Sequence, residues 1–510
     1  MNPEHISNGQ PFRVFPRFQI ISKEQALKEL SSPCSKFQSP YSLEERLRLF
    51  LQKSVQMSDP LQSVTYCVTP GAPLNWQALL RYLHHHSIIM RPEFDFIVCR
   101  NDLPKTYNIS LDASWDTETS SGVEVYRYGH ASDISLETAM SKAVGELLER
   151  YFLTCYKKDS LLYATSFDLS RKGVPVFDVT ELNTFLPFQR ESNPRFSVDS
   201  EKEYAWILGE TLEGENIYIP AQLVFWNYDV YSNTNEPILT EPNTNGAGGY
   251  FTKEAAILSG LLELIQRDAF LIYWLNRISP PIIDVSTITD PDICRLLESV
   301  SRYGLDIYFL NVTSDINIPT VVCVVVDTRQ DDPIVIMGGS SGFTIRDTIL
   351  HSMTEALSVA HFVVQREKYT LQEPYIPFVD RNISRSQRLD IWHGKEMFER
   401  FRFFLEGIKQ TPEDFIKSTL GLESLDEKMK YVKDELAKKG SGYEVYLYEA
   451  HDPVLKALGY HVVRTIVPQL VSLYLNEHMI TLGARRLREV PARLGYSPAK
   501  DFFPWPHPFP

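Results

Sequence analysis

Glu146-Leu-Leu-Glu149-Arg150 and Glu263-Leu-Ile-Gln266-Arg267 carry one pattern twice: an acid, two apolar residues, a second oxygen-bearing side chain three positions on, and an arginine. Apolar sequence surrounds each, Ala143-Val-Gly before the first and Ile257-Leu-Ser-Gly-Leu-Leu262 before the second. A third helical stretch, Ser352-Met-Thr-Glu355-Ala, carries one acid. The i, i+3 spacing puts both members of a pair on one helical face. Acids embedded in apolar helices need a counter-charge. Self-similar modules of this kind predict helices packed in related ways around a shared centre.

Outward from these helices the chain alternates strand and helix. Val123–Tyr128 reads as a strand, followed by a helix from about Leu136 to Tyr156. Glu203–Leu212 and Asn216–Phe225 read as a hairpin turning at Glu213-Gly214. Thr244-Asn-Gly-Ala-Gly-Gly249 precedes a long helix from about Lys253 to Asn276. Three strands follow near Leu305–Val312, Ile318–Val326 and Ile334–Met337, then a helix from about Arg346 to Gln365. Residues 380–440 are charged, helical and expected to be peripheral, and Tyr443–Tyr448 and His461–Val467 return to strand. Upstream, Ser42 with Glu45 forms a capping-box pattern, Trp76–His86 an amphipathic helix and Phe94–Cys99 a strand. Hairpin-joined strands predict a mixed α+β fold rather than a doubly wound parallel sheet. The expected organisation is a polar arm over 1–40, a partner-contacting region over 41–120, and a catalytic domain over 121–510.

Composition limits the function classes. The 510 residues are 43% hydrophobic and 12% aromatic, ordinary for a globular chain. The formal charge of −14 argues against a nucleic-acid partner, though not against ATP. No long apolar run or signal pattern stands out, so a soluble cytoplasmic protein without a membrane partner is expected. Six scattered cysteines with no C-x-x-C pair predict buried free thiols rather than zinc or disulfides. His84-His85-His86 lie on one helix and point in different directions, which does not suit one ion.

The chemistry these residues suggest is phosphoryl transfer. Glu146, Glu149, Glu263 and Gln266, with Glu355 and water, supply about five or six hard oxygen ligands, the preference of Mg²⁺. Arg150 and Arg267 have the fork geometry for phosphate oxygens. The glycine-rich Thr244–Gly249 loop, with Asn245 and Gly246, lets backbone N–H groups approach a phosphate near a helix N-terminus. No Ser-His-Asp or Cys-His arrangement indicates a covalent nucleophile. The chain closes on Pro504-Trp-Pro-His-Pro-Phe-Pro510, which predicts an extended polyproline strut reaching roughly 20 Å.

From Val123 to Pro510 these motifs, in this order and with this ending, resemble the YcaO family. The resemblance implies a fold of its own, with ATP and Mg²⁺ held among helices that project acids. Glu146, Glu149 and Glu263 then map to metal-coordinating acids and Arg267 to a phosphate-contacting arginine. Family members with such an ending are similar to azoline-forming cyclodehydratases acting on ribosomally made precursor peptides. There a Cys, Ser or Thr side chain attacks the preceding carbonyl, ATP phosphorylates the oxyanion, and phosphate leaves as the thiazoline or oxazoline closes. The Pro510 carboxylate is the expected base. Thioamide or amidine formation, and a catalytically silent scaffold subunit, are the alternatives the resemblance allows. It further implies an E1-like partner that binds the leader peptide, a flavin-dependent dehydrogenase acting afterwards, and a dimeric or multi-subunit assembly. Four positions depart from the family: Gln266 replaces a glutamate, Tyr250 a glycine, and His130 and Ala131 turn a Gly-Lys-Gly into Gly129-His130-Ala131.

Overall fold

The computed structural model describes residues 75–97, 103–114, 128–226, 228, 235–329, 332–364, 366–371, 375–379, 383 and 387–509. The expected arm over 1–40, the Ser42 capping box and Pro510 lie outside these residues. Helix α1 (Trp76–His85) leads into β1 (Asp95–Phe96), β2 (Tyr107–Asp112) and β3 (Tyr128–Asp133), and α2 (Leu136–Phe152) follows. Next come β4 (Leu162–Thr165), the hairpin β5 (Glu203–Thr211) and β6 (Asn216–Pro220), β7 (Ala247–Tyr250) and α3 (Lys253–Leu275). The chain continues through β8 (Ile282–Ile283), α4 (Pro291–Arg302), β9 (Leu305–Asn311), β10 (Thr320–Asp327), β11 (Ile334–Ser341) and α5 (Ile345–Val363). It ends with β12 (Lys409–Gln410), α6 (Leu425–Ala437), β13 (Tyr446–Glu449), β14 (His461–Ile466) and α7 (Arg486–Arg493) among the longer elements.

The strands form three sheets, ordered β1-β2-β3, β4-β5-β13-β14-β7 with β6 on β5, and β11-β10-β9-β8-β12. Among the described strands β12–β8 pair in parallel, and the other named pairs run antiparallel. This is the mixed α+β arrangement expected from the hairpins. The strand expected over Val123–Tyr128 falls mostly outside the described residues, and β3 begins at Tyr128. The hairpin's second strand stops at Pro220, and Ala221–Val224 makes a helical turn instead. Proline has no N–H for the ladder, so a strand ends readily there.

Three strand-to-helix hairpins organise the molecule: β3–α2, β7–α3 and β11–α5. Each turns within two or three residues onto a hydroxyl cap. Ser135 accepts the Thr138 N–H, Thr252 the Ala255 N–H and Thr344 the Asp347 N–H. Each strand then runs back along its helix with a glycine at the closest approach. A Cβ on Gly129 would sit 2.1 Å from the Ala143 carbonyl oxygen. On Gly248 it would sit 2.1 Å from the Ala256 carbonyl oxygen, and on Gly338 2.3 Å from the Ala356 nitrogen. No side chain fits at that separation, which is why the small residues in these strands decide the packing.

The hairpins also close a ring. Glu149 on α2 accepts the Gly249 N–H at the end of β7. Gln266 on α3 packs against Gly339 of β11. Ser358 on α5 donates to Asn108 on β2, at 3.5 Å. In every case the residue three positions after the acid touches the next hairpin's sheet, so the three acid-bearing faces turn toward one another.

Two expectations need correction. Residues 387–405 are not peripheral: Trp392, Phe401 and Phe404 are fully buried in the main core around Trp274. The charged residues there hid a row of aromatic ones; α6, further along, does lie on the flank and packs its apolar face against α3. Of the described cysteines, only Cys323 is buried, whereas Cys155 and Cys294 are half-buried; all three are free thiols.

Candidate active site

The ring of hairpins brings Glu146, Glu149, Glu263 and Glu355 to one cleft. In each hairpin the motif's first acid is held by a backbone N–H of its own strand or, for Glu263, of Gly246, the residue just before it. His130 donates to Glu146, Gly246 to Glu263 at 2.6 Å, and Gly339 to Glu355 at 2.7 Å. The strand's return path fixes the spacing, sixteen or seventeen residues before the acid. One carboxylate oxygen is thereby fixed, and in Glu146 and Glu263 the other pairs with an arginine.

Charge accumulates in this cleft. Glu263 lies near enough to the other three to raise the proton affinity of each. Burial, followed by the charges of Glu263 and Glu146, pushes Glu149 up to about 8. Burial pushes Glu355 up to about 7, with Glu263 adding to it and the Gly339 N–H and Arg267 opposing. Glu146 is raised as well, first by burial. The cleft is deep yet open: the Glu146 and Glu263 side chains keep 32% and 27% of their surface accessible.

Arginines supply the counter-charge in this structure. Arg150 pairs with Glu146 at 2.6 Å and donates to the Tyr128 carbonyl at 2.6 Å. Arg267 pairs with Glu263 at 2.6 Å and donates to the Asn245 side chain. Among the described residues no three His, Cys, Asp or Glu side chains already surround a point where an ion would sit. Each carboxylate is turned instead to a backbone N–H or a guanidinium. The donor set still suits a hard cation: carboxylate oxygens, no sulfur, and like charges whose mutual repulsion a divalent ion would relieve.

Arg464, on β14, was not legible in the sequence. It is fully buried, donates to the Leu223 carbonyl at 3.0 Å and the Asn243 side chain at 3.2 Å, and its Nη1 has no partner. Burial and the nearby Arg267 lower it to about 9, against the pull of Glu263. Arg267 likewise keeps a buried Nε without a partner. Asn243, Asn245, Arg464, Thr465 and Ser472 supply the polar part of a mixed cavity at this edge of the cleft, whose remaining wall is largely aliphatic. The buried Arg464 and the half-buried Arg267, each with an unused donor, make it an anion-seeking edge beside a cation-seeking cluster.

Other predicted residues sit differently. Gly246 and its neighbours do not form a phosphate loop at a helix N-terminus. Ala247–Tyr250 is strand β7, paired with β14, and the Gly246 N–H is taken by Glu263 in the third turn of α3. Glycines before a helix serve close strand–helix approach as readily as phosphate binding, and here they serve the former. Gln266 is buried at the back of the cluster, packed with Phe509 against Gly339. His130 holds Glu146 through its backbone, a bond indifferent to its side chain. Tyr250 is 54% exposed at the end of β7, so replacing glycine there costs no packing.

The raised carboxyls give a pH dependence with a definite sign. A folded-state value above the unfolded one means the folded chain binds more protons between the two, so stability falls as pH rises through that window. For Glu149 the window runs from its ordinary 4.5 to about 8. Without added metal, the melting temperature should fall from pH 5 to pH 8, and Glu149→Gln should flatten the fall. At pH 8 the variant should be more stable by about 1–2 kcal/mol, well short of the full shift because the cleft is open to water. Thermal melts across pH decide this; parallel curves for the two proteins would remove Glu149 from the charged cluster.

Residues 132–471, more than half of the chain, match the model of the YcaO cyclodehydratase family, described as ATP- and Mg²⁺-binding. An uncharacterized protein of Methanothermobacter thermautotrophicus is 31% identical over 161 residues, 31% of this chain and 42% of that one. An uncharacterized protein from the tfuA 3′ region of Rhizobium leguminosarum bv. trifolii is 23% identical over 368 residues, 70% of this chain and 80% of that one. Among solved structures, a heterocyclase in complex with substrate and cofactor superposes with a TM-score of 0.64 at 18% identity, covering 84% of this chain and 57% of its own. The heterocyclase TruD gives 0.55 at 22% identity, covering 72% and 50%. YcaO from Methanopyrus kandleri, bound with AMPPCP and Mg²⁺, gives 0.53 at 15% identity, covering 79% and 93%. The chain thus spans about half the length of several proteins it matches, and at these identities the structures speak to fold. Among the described residues no helix is long and apolar enough to cross a membrane. Family match, shared fold and the ring of acid-bearing hairpins agree: the chain belongs to the YcaO family.

Proposed function

We propose that this chain is an ATP-dependent cyclodehydratase that forms thiazoline or oxazoline rings in a ribosomally made peptide. The observation that carries the reading is the convergence of four carboxylates from three helices beside two arginines, Arg464 buried and Arg267 half-buried, each with an unused donor. Glu146, Glu149, Glu263 and Glu355 would hold Mg²⁺, and Arg267 and Arg464 would face the phosphates. Bound there, magnesium ATP supplies the phosphoryl group that turns a poor leaving group, the amide oxygen, into a good one. The chain's own task is positioning and charge. Arg267 and Arg464 offset negative charge growing on the transferred group. The backbone N–H groups of His130, Gly246 and Gly339 keep the carboxylates from turning away. In the reaction itself, the Cys, Ser or Thr side chain closes on the preceding carbonyl carbon, and the oxygen leaves as phosphate.

The precursor peptide, an E1-like leader-binding partner and a later dehydrogenase belong to this proposal. Calorimetric titration of AMPPCP with and without Mg²⁺ tests its foundation. Heat that appears only with Mg²⁺ is expected. Identical traces in both conditions would leave a silent scaffold as the better reading. With a precursor peptide and ATP, mass spectrometry should then record loss of one water per ring.

A further inference from the structure

Residues 503–509 lie in a groove whose chemistry fits a proline-rich segment. Such a segment presents carbonyls while its prolines have no N–H, so its receptor should offer donors. Three consecutive carbonyls each meet one. Tyr375 Oη donates to Pro504 at 3.2 Å, Trp274 Nε1 to Trp505 at 3.3 Å, and Trp392 Nε1 to Pro506 at 2.9 Å. The Tyr375 ring stacks on Trp505 at 6.1 Å, and the Arg400 guanidinium covers that indole from 4.3 Å. Aromatic walls with indole and phenol donors are how unrelated receptors read polyproline ligands.

A buried cluster closes the far end. Arg388 and Glu477, each about 1% exposed, form an ion pair, and Arg388 Nη1 donates to the Tyr474 carbonyl at 2.7 Å. His507, fully buried, accepts the Phe509 N–H on Nδ1 at 3.2 Å. Its Nε2 lies 2.8 Å from the same Tyr474 carbonyl oxygen and 2.8 Å from Arg388 Nη1. Burial first, and then the Arg388 charge beside the ring, disfavour a second proton, which would destroy the Nδ1 acceptor. Phe509 is thereby turned onto Phe270, with ring centroids 4.9 Å apart, and onto Gly339, whose N–H holds Glu355.

We propose that Tyr375, Trp274 and Trp392 form an internal polyproline receptor, closed by Arg388, that positions residues 504–509 against the strand carrying the Glu355 contact. These are positioning residues, and their catalytic consequence rests on the reading of the cleft as an ATP site. Tyr375→Phe removes one donor and keeps the ring; Trp392→Phe removes the indole donor and leaves a smaller aromatic ring in the same buried place. Hydrogen exchange should accelerate at the Phe509 amide by about tenfold, with the amides of helix α3 as the reference for global opening. AMPPCP affinity with Mg²⁺ should stay within about twofold, while kcat for ATP consumption falls about fivefold or more at unchanged KM. Unchanged exchange in both variants overturns the receptor. Faster exchange with unchanged kcat overturns the positioning role, and so does a matching loss of AMPPCP affinity. If the parent chain binds no AMPPCP with Mg²⁺, the reading of the cleft fails, while the exchange comparison still decides the receptor.

Discussion

Glu263→Gln is expected to weaken Mg²⁺-dependent AMPPCP binding by about 10–100-fold and to lower ATP-dependent turnover by about 10²–10³-fold. Glu263 is the hub of the cleft: its charge acts on Glu146, Glu149 and Glu355 alike. The amide oxygen of glutamine can still accept the Gly246 N–H that Glu263 takes at 2.6 Å, so the hairpin keeps its closing bond. What disappears is one negative charge. Arg267 retains the Asn245 side chain, and three carboxylates lose a like charge, so the melting temperature without nucleotide should not fall. Loss of ligand with retained stability marks a residue kept for function rather than for folding. Titration and a thermal melt on the same preparation measure both. A variant that binds AMPPCP like its parent would remove Glu263 from the metal site and the proposal with it.

What a residue reveals on its own depends on where its partners lie along the chain. Glu146, Glu149, Glu263 and Glu355 were legible because an acid in an apolar helix violates local pattern, and such violations need an explanation. Their convergence was foreshadowed by the repeated motif, but the means of convergence was not. It depends on Gly129, Gly248 and Gly338, each a close approach that one-dimensional pattern cannot distinguish from a turn or a phosphate loop. Arg464 left no trace, since a single arginine in His461-Val-Val-Arg-Thr-Ile466 reads as an ordinary strand residue. Only its partners, Leu223 and Asn243, more than two hundred residues away, make it a buried charge. The receptor for the proline-rich segment was hidden for the same reason: its donors stand at 274, 375 and 392 and meet only in the fold. Residues 387–405 looked peripheral because their charges are frequent. The aromatic side chains between those charges decide the burial.

Asp268→Asn should produce the opposite phenotype to Glu263→Gln from five residues further along the same helix. Asp268 is fully buried and accepts from Arg486 Nε at 2.8 Å, Arg486 Nη2 at 2.6 Å and the Val471 N–H at 3.0 Å. It ties α3 to α7 and to the segment following β14, on the side of the helix away from the cleft. Removing one partner of a buried ion pair leaves the other charge uncompensated, at a typical cost of about 3–5 kcal/mol. Asp315 still meets Arg486 Nη2 at 2.9 Å, which places the expected loss near the lower end, about 3 kcal/mol. Against a stability of roughly 5–15 kcal/mol for a typical fold, that is a large fraction. Denaturant unfolding should show the midpoint falling, while AMPPCP binds with Mg²⁺ to the folded variant at low temperature with its affinity nearly unchanged. An unchanged midpoint would mean that the Arg486 network contributes nothing net. Lost affinity in a fully folded variant would mean that Asp268 shapes the cleft directly. The paired outcome, one substitution that spares stability and loses ligand and one that does the reverse, separates the scaffold from the chemistry on a single helix.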